Sequence, residues 1–170
     1  KFTNMEHIKA EHHTKESLSF IFSEADKHLT DVIDAVRSNS NRSFFLFGFY
    51  MSIASFSYLE IVDSKYVYLI LLTGCVLSAL FLLKNISPTV IEIKGSSPSD
   101  VLVSYFDYFK DQELEKELLV VQIESYQKSI ELNKVLVSKM STRYIWSFRI
   151  LLTFILVFLF VYSFLFFKCY

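Results

Sequence analysis

Residues 43–59 (SFFLFGFYMSIASFSYL) carry no formally charged side chain, and two more such runs follow at 66–83 and 150–167. At about 1.5 Å rise per residue, helices of this length match the ~17–25 residues that cross a hydrocarbon core. The second run, YVYLILLTGCVLSALFLL, and the third, ILLTFILVFLFVYSFLFF, each hold 18 residues. The third extends back to Tyr144 if Arg149 lies near one end. Core helices of a large soluble assembly would keep a polar face, whereas these runs contain only scattered Ser, Thr and Tyr. The reading is three membrane spans.

Composition agrees once its distribution is considered. Of 170 residues 52% are hydrophobic and 21% charged, with the charge concentrated between the runs. An ordinary cytosolic globule, a disordered chain and, with two cysteines, a disulfide-stapled secreted domain are all excluded. Cys75 lies inside the second run and reads as a small packing residue. No cleavable signal peptide is expected, because 42 mostly polar residues precede the first apolar stretch.

Lysine and arginine set a direction. Residues 1–42 hold six of them and residues 84–149 hold nine, against Lys65 alone in the turn between the first two runs and Lys168 alone after the third. The N-terminal and central regions are therefore expected on the cytoplasmic side of the inner (plasma) membrane, with the C-terminus outside. The segments are 1–42, a cytoplasmic helical segment; 43–59, 66–83 and 144–167, the spans; and 84–143, a cytoplasmic linker and stalk.

In the first segment, Thr3 and Glu6 have capping-box spacing. Leu18, Ile21, Phe22, Ala25, Leu29, Val32, Ile33 and Val36 trace one helical stripe, opposite Glu24, Lys27, Asp31 and Asp34. With as much acid as base, that stripe suits a protein partner better than a lipid surface. Residues 90–94 (VIEIK) read as extended or irregular. Ser97, Pro98 and Asp100 supply an N-cap, an N1 proline and an acidic N3 for a helix through Phe109.

From Asp111 onward neither Pro nor Gly occurs. Leu119, Ile123, Tyr126, Ile130, Asn133, Val137, Met140 and Tyr144 alternate at spacings of four and three, a heptad seam expected to mediate oligomerisation. One unbroken helix is predicted from 111 to 167, a stalk that becomes the third span. A second apolar row (Leu114, Leu118, Val121, Leu132, Val135) implies packing on two sides, one toward the N-terminal helix and one toward a neighbouring subunit. The fold class is all-α membrane protein.

No phosphate loop, nucleophile motif or His-Glu metal motif occurs. His7 and Glu11 share a face but fall short of the three or four ligands a metal needs, so neither metal nor cofactor is expected. No block is basic enough for a broad nucleic-acid surface. A pocket for a nucleotide or short oligonucleotide is another matter: Tyr105, Phe106, Tyr108 and Phe109 beside Lys110 combine stacking rings with a cation. The same cluster would also serve as a hydrophobic corner on the stalk or at the membrane interface.

Arg149 either snorkels to the interface beside Trp146 and Tyr144 or rings the inner mouth of an oligomeric pore. Ser52 and Ser55 share a face of the first span. They either let helices approach closely or line a narrow wet path with Phe56 as a constriction.

An inside helical segment, a short outer hairpin, a long stalk and no catalytic motif together resemble the small membrane effectors of prokaryotic antiphage systems. These include the SLATT two-span effectors and the Hailong-type oligonucleotide-gated channel. The likeness is architectural, and the third span departs from the two-span pattern. It implies a homo-oligomeric channel gated through its cytoplasmic helices by a nucleotide signal. A non-conducting membrane scaffold docking a partner through its stalk is the alternative, and an enzyme is not expected.

Overall fold

The computed structural model describes residues 12–87, 90–94, 108 and 111–169. Three long helices account for nearly all of them: α1 (Lys15–Val62), α2 (Leu69–Ile86) and α3 (Asp111–Cys169), with a 3-10 turn at Tyr66–Tyr68 leading into α2. No strand occurs among the described residues. Each of the three helices contains a stretch long and apolar enough to cross a membrane.

The unbroken helix expected from Asp111 is present, 59 residues long, or roughly 88 Å. A second long rod was not foreseen as one piece. In α1 the amphipathic stripe and the first apolar run form a single helix of 48 residues. The cause is local: Gly48 is the only Gly between Lys15 and Val62 and no Pro occurs there, so nothing breaks the backbone ladder. The helix starts at Thr14, whose Oγ1 accepts the Ser17 amide at 3.2 Å, satisfying one of the free amides of the first turn. The expected cap at Thr3 lies outside the described residues, as does the helix expected from Pro98.

At its other end α1 closes with a Schellman motif. The Lys65 amide donates to the Glu60 carbonyl at 3.0 Å and the Ser64 amide to that of Ile61 at 3.0 Å. Ser64 takes φ 68° to complete the turn, a left-handed conformation that glycine usually supplies.

The chain divides into two compact units, to both of which α1 and α3 contribute. The first comprises Lys1–Asp34 and Ile91–Val135. Its core joins the α1 stripe to the α3 seam: Leu18, Val120 and Ile123 are buried together, flanked by Ile21, Phe22 and Leu119. The Phe22 and Tyr126 rings meet at 5.3 Å, and Lys15 pairs with Glu115. Contacts advance in the same direction along both helices, so they lie parallel, as in a two-stranded coiled coil. The acidic and basic positions opposite the stripe (Glu24, Lys27, Asp31, Asp34) are exposed.

The second unit comprises Ala35–Val90 and Leu136–Tyr170. Here α2 runs antiparallel between the apolar halves of α1 and α3. Tyr50, Ala54, Cys75, Ala79, Leu82 and Leu151 form its core. Close approach of α2 to α3 depends on Gly74, where a Cβ would sit 2.7 Å from Phe154 Cγ. Beyond that level Phe56, Tyr68, Phe158 and Tyr162 stack in succession, with ring centroids 5.8, 5.1 and 5.6 Å apart.

Candidate functional site

In the first unit the seam is spent on the chain itself. Ile123, Tyr126 and Ile130 are buried, and Asn133 is 1% exposed. Its Nδ2 donates to the Glu92 carbonyl at 2.8 Å and its Oδ1 accepts the Glu92 amide at 3.2 Å, so the carboxamide pairs with the extended segment as a peptide group would. In the second unit Met140 of the same seam is fully buried and its carbonyl accepts from Asn85. Leu119 and Val137 are half-buried. Of the residues expected to mediate oligomerisation, Ile123, Tyr126, Ile130, Asn133 and Met140 are thus covered by the chain's own segments, and Leu119 and Val137 keep part of their surface exposed. Leu132 and Val135 of the second row are 45% and 52% exposed and remain free to meet something else.

Ion pairs on the surface of this unit include Lys15 with Glu115 and Lys94 with Asp26, the latter at 2.7 Å. The Glu115 carboxylate raises the Lys15 pKa above the usual lysine value, so the lysine's contribution is lost as pH rises through the raised value. Hydrogen bonds from its own backbone amide and from the Thr14 hydroxyl lower the pKa of the Glu16 carboxyl. Its contribution is lost as pH falls through the depressed value.

The apolar unit has polar layers inside it. Asn85 is fully buried. Its Nδ2 donates to Ser43 Oγ at 3.1 Å and to the Met140 carbonyl at 2.9 Å, its Oδ1 lies 3.5 Å from Arg143 Nη1, and its carbonyl accepts from Ser40 at 3.1 Å. One side chain thus ties all three helices together. Deeper in, Ser147 Oγ contacts Tyr50 Oη at 3.1 Å and donates to the Ser78 carbonyl at 2.9 Å. The hydroxyls of Ser57 and Ser78 are buried without a partner. Sequence reading missed Asn85 because it stands two residues past the second apolar run, where an amide looks like a loop residue. Its heptad spacing from Leu71, Ser78 and Leu82 along α2 was the available signal.

The expected pore residues lie elsewhere. Ser52 and Ser55 are exposed, and their hydroxyls donate back to the Gly48 and Met51 carbonyls at 3.0 and 2.9 Å. With Gly48 they form a row of small residues opposite the face that packs on α2 and α3. A Cβ at Gly48 would meet nothing. Phe56 is 52% exposed and edges onto Tyr68.

Arg149 is exposed and also points away from the packing face of its helix, on a row with Thr153 and Ser163. Its guanidinium lies 5.7 Å from the Trp146 ring, a cation–π distance. Hydrogen bonds put Ser147 level with Tyr50 and Ser78, seven and five residues inside their apolar runs. Arg149 is therefore about 10–13 Å inside the apolar layer, deeper than its sequence distance from Tyr144 implies. The back of α2, by contrast, shows Val76, Leu77, Leu80 and Leu83.

Of the expected ligand cluster, Tyr105, Phe106, Phe109 and Lys110 lie outside the described residues, and Tyr108 is 85% exposed. Among the described residues no group of three metal-ligating side chains occurs. Comparison of the chain with protein-family models, curated proteins and solved structures yields no match.

Proposed function

We propose that the chain is the subunit of a homo-oligomeric membrane channel whose opening is biased through its charged helical unit. One observation carries the reading: Arg149 sits within the apolar layer yet faces outward, where a lipid environment would cost about 2.5–3.5 kcal/mol on insertion scales. A water-filled conduit shared between subunits removes that cost. A single three-helix bundle packed on itself encloses no such conduit, whereas a symmetric ring does. The outward row of Gly48, Ser52 and Ser55 supports the assembly, since small residues let neighbouring helices approach closely in lipid.

The N-terminal and central charged segments face the cytoplasm in this reading, and a nucleotide or short oligonucleotide is the proposed signal, as in the antiphage effectors that the layout resembles. A non-conducting scaffold is favoured only by the exposed pair Leu132 and Val135, which a partner protein would cover. Planar-bilayer recording of purified protein, with its mass measured in detergent, separates the two. An oligomer that passes current, spontaneously or on addition of oligonucleotide, supports the channel. A monomer, or an oligomer silent under every condition, supports the scaffold.

A further inference from the structure

Resting on the channel reading, we infer that the conduit selects small anions and that Arg149 sets the selectivity. The three apolar runs contain no charged side chain, and Arg149 is the charge set deepest in the layer they define, Arg143 lying at its edge beside Asn85. Among the described residues no carboxylate pairs with Arg149, unlike Lys15, Lys65 and Lys94, which pair with Glu115, Glu60 and Asp26. Its neighbours on the outward row are Thr153, whose hydroxyl is turned back onto the Arg149 carbonyl at 2.9 Å, and apolar side chains. The indole of Trp146 holds the guanidinium by its face, which fixes position without cancelling charge.

Around a ring of subunits every copy adds one uncompensated positive charge at the same depth. An ion passing about 6 Å from a single charge in water changes its partition roughly threefold, and the copies multiply that preference. The ligand class is a small monovalent anion such as chloride, attracted to the ring and weakly enough held to leave it.

The test is the reversal potential of the full-length chain in neutral phosphatidylcholine bilayers under a potassium chloride gradient. The wild type should reverse near the chloride equilibrium potential, and R149K should keep that behaviour. R149Q should lower the chloride-to-potassium permeability ratio at least threefold, and R149E should move the reversal toward potassium. A wild-type reversal near the potassium potential, or a ratio unchanged in R149Q, overturns the inference and leaves the channel standing. Absence of current from an oligomer of confirmed mass overturns both. R149Q and R149K keep the answer available if R149E fails to insert.

Discussion

Asn85 and Ser57 are both polar and fully buried in the apolar unit, and their contrast shows what decides the worth of a buried polar group. Asn85 satisfies both ends of its carboxamide against Ser43, Met140 and Arg143. Asn85→Ala should destabilise the protein by about 1–3 kcal/mol, because it strands those partners. Ser57 has no partner to lose, so Ser57→Ala should leave stability unchanged or raise it by up to about 1 kcal/mol. Reversible unfolding in mixed micelles by denaturing detergent measures both. A cost for Ser57→Ala equal to that of Asn85→Ala would refute the distinction. Little of this was legible in the sequence. A serine in an apolar run looks the same whether its hydroxyl is paired, orphaned or returned to its own helix, since the difference lies in which neighbour helix is at hand.

At the level of elements, periodicity was enough to find α3 and both amphipathic faces of the charged unit, because burial of one face imposes a 3.6-residue repeat that the sequence must carry. It did not disclose which partner each face would choose. The Ile123–Met140 seam is compatible with a second copy or with the chain itself, and within the chain Ile123 packs on Leu18, Asn133 pairs with Glu92 and Met140 with Asn85. Ile130→Asp should accordingly unfold the charged unit, with loss of helical circular dichroism and rapid proteolysis between 91 and 135. Dissociation of an otherwise intact oligomer would restore the intermolecular seam. The two glycines make a paired test of inner and outer faces. Gly74→Val meets Phe154 and should cost about 1–3 kcal/mol of stability. Gly48→Leu enters open space within the chain, so it should spare the fold and lower the mass of the detergent complex. If Gly48→Leu leaves that mass unaltered, the small row on α1 is not a contact between subunits.

For the whole molecule, the split between apolar runs and charged stretches dictated the architecture, and the three helices followed from it with no chemical motif needed. The candidate site was harder to see. Arg149 was visible as an oddity, but its depth and direction came only from Ser147 being bonded to Tyr50 and Ser78, a relation between residues about 70 and 100 positions apart. Cys75 extends the argument into time. Its thiol is 1% exposed at the centre of the bundle. With Cys169 replaced by Ser, a membrane-permeant maleimide can label the protein only when α2 parts from its neighbours. The labelling rate then counts those partings. A rate that rises under the same conditions that raise current would show that the bundle loosens when the assembly conducts, while a constant rate would mean that conduction leaves each bundle closed and only the spaces between copies change.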